Sequence, residues 1–154
     1  VIHDLNGMDA DAFLDRVGSA MTLTPDRSPA PATRGSFSMY LGGRWYGLEA
    51  PTSSILQDDP VASLDAAILQ DSILAPILGI DDPRTSDRIS FVGGIRGTTA
   101  LAQRVDQRGD GCAFSLFPLG TDQLMAVADE GRVLPPKSTW FEPKLRSGLI
   151  VHTF

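Results

Sequence analysis

Residues 36–49 read SFSMYLGGRWYGLE, and this stretch decides the fold. Gly42-Gly43 divides it into two runs of six residues. Paired glycines are typical of a two-residue hairpin turn, because they adopt positive φ at little cost. Phe37, Met39 and Leu41 alternate along the first run, as expected for one face of a half-buried strand. The stretch therefore predicts an antiparallel β-hairpin.

Helical periodicity is present on both sides of the hairpin. Asp9 or Asp11 can cap a short helix ahead of it. After the hairpin, Pro60 is placed to start a second helix. Pro76 should end or kink that helix, because proline lacks the N–H that would bond back one turn. A last helix is predicted from Thr121 onward.

Residues 88–117 predict strand, helix and strand in succession, with the strands at 88–92 and 112–117. This order is typical of a right-handed parallel βαβ unit. The predicted fold class is therefore α+β (mixed α/β), a small mixed sheet that contains the hairpin and the βαβ unit, with helices packed on it. Residues 1–154 are expected to be a single domain. The chain lacks an initiator Met, so we expect it to be part of a longer protein.

Composition narrows the classes of function. The chain carries 13 basic and 19 acidic residues, and this acidic balance disfavours nucleic acid and anionic membranes as partners. No apolar run reaches the length of a membrane span, and no signal peptide opens the chain. A lone cysteine, Cys112, excludes an internal disulfide and indicates a cytoplasmic location. His3 and His152 lack neighbouring ligands, so no metal site is expected.

Lysine occurs only twice in the chain, and both copies lie in residues 135–144, PPKSTWFEPK. The other eleven basic residues are arginine. Lysine is a mobile point charge whose pKa shifts readily, whereas arginine is a permanently charged planar fork. We therefore expect that arginine does not serve at these two positions, and Lys137 is the best candidate for a catalytic group.

The segment 131–147 is long for a connection between elements, and ordered loops of more than about 12–15 residues are usually functional. Its aromatic residues, Trp140 and Phe141, can anchor it, and its hydroxyl and cationic groups can bind phosphate or carboxylate. The alternative is a structural strap whose lysines pair with surface acids. The predicted ligand-binding residues of this loop are Lys137, Ser138, Thr139, Lys144 and Arg146.

A second candidate is the glycine-rich loop 93–97, GGIRG, between a predicted strand and the start of a helix. Backbone N–H groups at such a junction favour anions, and Arg96 can supply a countercharge. Glycines also serve tight strand–helix packing, and that alternative stays open. A Walker loop is excluded because no Gly-Lys-Ser/Thr occurs in the chain. The predicted ligand-binding residues here are Gly93, Gly94, Arg96 and Gly97.

Four stretches together resemble a large bacterial family, the domain-of-unknown-function family ten-fifteen. The Lys-Ser-Thr-aromatic-Phe-x-Pro-Lys motif that begins at Lys137 is specific to it. The resemblance implies a cytoplasmic protein, often encoded near serine-biosynthesis genes, of which this chain is the C-terminal part. Gln70 stands where many members carry His, so no catalytic histidine is carried over. The stretches are 4–7, 64–80, 82–97 and 135–148.

Two hypotheses about function follow. In the first, the domain binds a small anionic metabolite, phosphorylated or carboxylated, as part of a phosphotransferase in serine-related metabolism. In the second, it is a non-catalytic structural or ligand-sensing module that docks on an N-terminal half through Trp140, Phe141 and Leu145. The sequence leaves open whether the protein is an enzyme, which cofactor it uses and whether it forms oligomers.

Overall fold

The hairpin forms the centre of a four-stranded sheet. The computed structural model describes residues 1–55, 58–109 and 111–139. Gly42 and Gly43 both have positive φ, 57° and 82°, as the predicted turn requires. The strands follow the order β1-β3-β2-β4, and every neighbouring pair is antiparallel. They are β1 Thr22–Pro25, β2 Ser36–Leu41, β3 Arg44–Glu49 and β4 Ala113–Leu116.

Helices accompany the sheet, and the α+β class is confirmed. Asp9 caps the first helix, because its carboxylate accepts a hydrogen bond of 2.8 Å from the Ala12 N–H. The α-helices are α1 Ala10–Ala20, α2 Asp65–Leu69, α3 Gly97–Arg108 and α4 Thr121–Asp129. A π-helical turn, Gln70–Leu74, continues α2, and short 3₁₀ turns span Thr52–Ser54 and Gly94–Arg96.

Strand β2 is buried on both faces, which corrects the expectation of a half-buried strand. Phe37 and Met39 point into the larger core cluster, where Phe13 of α1 is also fully buried. Tyr40 points the other way, into a second cluster that contains Leu101 of α3. The alternation of side chains is as predicted, but both faces carry apolar residues and each is covered.

The predicted parallel βαβ unit is wrong. Within the described residues, the first of its two segments forms only a single bridge, between Ile89 and Ile2, instead of a strand of the sheet. Ile2 also bridges Cys112, and both pairings are antiparallel. The segments around residues 89 and 112 therefore run parallel to each other, as a βαβ unit requires. They do not pair with each other, because the N-terminal segment lies between them and takes the hydrogen bonds that they would otherwise share.

The second helix begins later than Pro60. The Asp59 carboxylate accepts hydrogen bonds from the N–H groups of Val61 and Ala62, at 2.8 and 2.9 Å, and closes a separate turn there. Leu64 is then extended, with ψ 139°, before α2 starts at Asp65. Asp59 thus caps a single helical turn that begins at Pro60, and the extended backbone at Leu64 separates this turn from α2.

Candidate functional site

Lys137 lies on a tight exposed turn. The Ser138 N–H donates to the Pro135 carbonyl at 3.4 Å, and the Ser138 hydroxyl donates to the same oxygen at 2.7 Å. Pro136 occupies the first central position of this turn, where proline is favoured, and Lys137 occupies the second with φ 60°. The turn presents the lysine and Thr139 to solvent, whereas the Ser138 O–H is already used within the turn.

The positive φ of Lys137 is unusual for this residue type. Among the described residues, the other two non-glycine residues with positive φ are Asn6 and Asp26. Their short polar side chains tolerate this conformation, whereas lysine lacks such a group. The left-handed conformation costs about 1–2 kcal/mol for a residue with a Cβ. The sequence therefore has a lysine at a position where a glycine would relieve the backbone strain.

The predicted glycine loop is a 3₁₀ turn that runs into α3. The Arg96 N–H donates to the Gly93 carbonyl at 3.0 Å, and the Gly97 N–H donates to the Gly94 carbonyl. Gly97 has φ 69°, which lets the chain change direction into the helix. Arg96 and Ile95 are exposed, Ile95 to 72%. Two of the N–H groups expected to form an anion cradle are thus bonded within the turn.

Two of the five predicted ligand-binding residues of the loop, Lys144 and Arg146, lie outside the described residues. The anchors Trp140, Phe141 and Leu145 lie outside them as well. The two clefts described next are lined neither by Lys137 nor by residues 93–97. The sequence leaves open whether the two loops meet, and the binding residues assigned to each loop stay predictions.

Two adjacent clefts lie beside α4, at a place that sequence reasoning did not identify. They have volumes of about 320 and 220 Å³, and Ser63 and Gln123 line both of them. The larger cleft is strongly acidic, whereas the smaller combines polar groups with two isoleucines. Asp58, Pro60, Asp122, Ala126 and Glu130 complete the larger cleft, and Arg34, Gly35, Ile55, Asp65 and Ile68 complete the smaller.

Ion pairs at each end tie α4 to the rest of the chain. At its start, Arg34 Nη2 contacts Asp122 Oδ1 at 2.7 Å. Beyond its end, Arg132 Nη1 contacts Asp59 Oδ1 at 2.6 Å. Asp59 thus both closes its own turn and forms an ion pair with Arg132. An aspartate directly before a proline is the signal that could have indicated this role.

Gly120 makes the first of these ion pairs sterically feasible. A Cβ added at this glycine would approach Arg34 Nη2 to 2.4 Å and Asp122 Oδ1 to 2.3 Å. Gly120 also precedes α4, and its N–H donates to the Gln123 side chain at 3.2 Å. The absence of a side chain at 120 therefore leaves room for the guanidinium beside the start of α4.

Asp65 is the carboxylate whose environment is most unusual in these clefts. Burial raises the pKa of Asp65, while the Gly35 N–H and the Arg34 charge oppose that rise. The Gly35 N–H donates to Asp65 Oδ1 at 2.9 Å. A carboxyl of raised pKa in a cleft is a candidate functional group. Its position at the first residue of α2 gives no such indication in the sequence, because acids are common in a first helical turn.

The described part of the chain offers two further negative observations. None of its helices is both long and apolar enough to cross a bilayer. Its histidine, cysteine and carboxylate side chains form no group of three or more that is placed to hold a metal ion.

Comparison with known proteins gives one match, to a family and not to an individual protein. Residues 1–67, less than half of the chain, match the model of a family described as "Protein of unknown function (DUF1015)". The matched residues include α1, the hairpin and the start of α2, and thus most of the sheet. No curated protein and no solved structure matches the chain. The similarity therefore indicates a family of uncharacterised proteins and no activity.

Proposed function

We propose that the turn around Lys137 binds a small anionic metabolite, phosphorylated or carboxylated. The observation that carries the proposal is the conformation of this lysine, which is exposed and held at φ 60° although its residue type disfavours that angle. Strained backbone positions cluster at binding and catalytic sites, because there the side chain is needed at a fixed place. A mobile ammonium on a stiff turn suits an anion.

The identity of the anion rests on the sequence resemblance. We propose a phosphorylated or carboxylated compound of serine-related metabolism, handled in the cytoplasm, with phosphoryl transfer as the class of reaction. A lysine can stabilise the charge of a transferring phosphoryl group without forming a covalent bond to it. In this proposal Lys144 and Arg146 add further positive charge, and Arg96 with its neighbouring glycines adds a second anion contact.

A second candidate function is that of a docking module, and exposed apolar side chains favour it. Ile95 and Val133 are 72% and 84% exposed, and Phe91 is 42% exposed. Exposed apolar side chains indicate an interface where they form a contiguous patch, so this alternative requires that the three side chains lie together. In this alternative, residues 1–154 form one domain that packs against another domain of a longer protein. Lys137 is then a surface residue that binds no ligand.

A thermal-shift experiment on the purified protein separates the two functions. Inorganic phosphate and O-phospho-L-serine are expected to raise Tm, because a ligand that binds only the folded state stabilises it. The shift should disappear in Lys137→Ala and shrink strongly in Lys137→Arg. It should persist in Arg16→Ala, which removes an exposed cation from α1. An equal shift in all four proteins, or none in the wild type, contradicts anion binding at Lys137.

A further inference from the structure

The smaller of the two clefts combines charges of both signs with an apolar floor. Arg34 and Asp65 lie at its polar side, whereas Ile55 and Ile68 supply aliphatic surface. Its volume of about 220 Å³ lies below the range of about 300–1,000 Å³ that is typical of pockets for drug-sized ligands, so the cleft suits a smaller molecule. Small-molecule sites typically show this combination of apolar lining and a few converging polar groups.

Asp65 has acceptor capacity to spare in this cleft. One of its oxygens, Oδ1, accepts the Gly35 N–H at 2.9 Å. The other, Oδ2, accepts no hydrogen bond from any described residue, and Asp65 forms no ion pair with them. Because Asp65 is half-buried, water satisfies this oxygen less well than it would on an open surface. A ligand ammonium would fit this position.

Arg34 offers donors to the same cleft. Its Nη2 group binds both Asp122 oxygens, at 2.7 and 2.9 Å. Its Nε and Nη1 groups donate to no described residue. Guanidinium carries five N–H donors, so those of Nε and Nη1 stay available for a second carboxylate while the ion pair to Asp122 is kept.

We propose that this cleft binds a small zwitterionic amino acid. Its ammonium would contact Asp65 and its carboxylate would contact Arg34. A short aliphatic side chain would pack on Ile55 and Ile68. This site is separate from the Lys137 turn, which is not part of the cleft lining, and it concerns a different class of ligand.

The proximity of opposite charges explains why a zwitterion is preferred to a simple ion. Arg34 and Asp65 are close enough for each to influence the charge state of the other. A cation attracted by Asp65 is therefore repelled by Arg34, and an anion attracted by Arg34 is repelled by Asp65 and by Asp122, the partner of Arg34. A ligand that carries both charges on neighbouring atoms satisfies both groups at once.

The test is an NMR titration of the ¹⁵N-labelled protein with L-alanine, propionate and ethylamine. L-alanine is expected to shift the amides of Gly35, Asp65 and Gln123 in a saturable way. Propionate carries only the negative charge of L-alanine and ethylamine only its positive charge, so each should bind at least tenfold more weakly. The proposal is overturned if either single ion binds as well as L-alanine, or if L-alanine shifts none of these amides.

Two variants locate the ligand. Asp65→Asn keeps an oxygen for the Gly35 N–H but removes the charge, and Arg34→Gln removes the guanidinium. Each should weaken L-alanine binding at least tenfold. Arg44→Gln breaks a comparable exposed ion pair, with Asp26, and should bind L-alanine like the wild type. If Asp65→Asn does not fold, Arg34→Gln decides, and unchanged binding by this variant overturns the proposal.

Discussion

At the scale of single residues, the contact between Asp4 and Arg88 connects distant parts of the chain. Arg88 Nη2 and Nε donate to the two Asp4 oxygens at 2.5 and 2.9 Å, and its Nη1 donates to the Leu78 carbonyl at 2.9 Å. The guanidinium thus joins the N-terminal segment to the chain that follows the π-helical turn. Hydrogen bonds from Arg88 are the main reason that the pKa of Asp4 is lowered to about 2.

This shift predicts a pH dependence of stability. Because the pKa of Asp4 is lower in the folded protein, its contribution is complete above its ordinary value of 3.8. The contribution is lost as pH falls through the folded value of about 2. We expect Asp4→Asn to lower the free energy of unfolding at pH 7 and to lose less stability than the wild type between pH 4 and pH 2. Urea unfolding at several pH values measures both.

An exposed local pair provides the control for this experiment. Asp82 and Arg84 are two residues apart, and the arginine is 70% exposed, so their contact organises only a turn. Asp82→Asn should therefore change stability less than Asp4→Asn at pH 7. Equal effects of the two substitutions contradict the account of Arg88 as a connection between distant segments.

The strain at Lys137 gives a second prediction at this scale. Lys137→Gly should leave the free energy of unfolding unchanged or slightly higher, within about 1 kcal/mol, because relief of the left-handed strain offsets the greater entropy of the unfolded chain. Lys137→Ala keeps the strain and should be no more stable than the wild type. Chemical unfolding of the three proteins measures this. A marked loss of stability in Lys137→Gly indicates a structural role for the side chain.

Single residues also show where prediction from the sequence stops. The rarity of lysine points to Lys137, but nothing in the sequence points to the cleft at Asp65. The position of Asp65 matters because Arg34 and Gly35, ahead of β2, and Gln123, on α4, line the same cleft. That convergence is a product of tertiary packing. Local sequence contains the residue types and not their spatial relation.

At the scale of elements, the junction of the N-terminal segment with Cys112 depends on Gly111. Its φ is 87°, and an added Cβ would lie 2.2 Å from the Ile2 carbonyl oxygen, a backbone atom. We expect Gly111→Ala to lower the free energy of unfolding by clearly more than about 2 kcal/mol, because the clash adds to the strain of a left-handed residue. Urea unfolding measures the loss.

Gly109 supplies a matched control two residues away. It has a similar φ of 82°, but a Cβ added there meets nothing within 4 Å. Gly109→Ala should lower the free energy of unfolding only by the cost of a left-handed backbone, about 1–2 kcal/mol. If the two variants are equally stable, the close approach of residues 2 and 111 is not important for the fold.

Elements differ in how well the sequence predicts them. The hairpin at 36–49 was predicted well, because glycine pairs and alternation act locally. The strand predicted at 88–92 was not, since its partner is the chain's own N-terminal segment, more than eighty residues away. The start of α2 was missed because the helical turn that begins at Pro60 is interrupted by the extended backbone of Leu64, which local sequence signals do not reveal.

At the scale of the whole molecule, Cys112 reports on global opening. It is fully buried in the larger core cluster, and burial raises the pKa of its thiol to about 12. We expect iodoacetamide to alkylate the native protein at pH 8 far more slowly than the urea-unfolded chain. Gly111→Ala should accelerate the reaction. Native alkylation at the rate of the unfolded chain contradicts the packing described here.

The proposed function depends on anion binding at the Lys137 turn. A titration of the ¹⁵N-labelled protein with inorganic phosphate, followed by NMR, tests this binding. We expect saturable shifts centred on the amides of Lys137, Ser138 and Thr139, and their loss in Lys137→Ala. Phosphate that leaves these amides unmoved, or that shifts them equally in the variant, would contradict the claim.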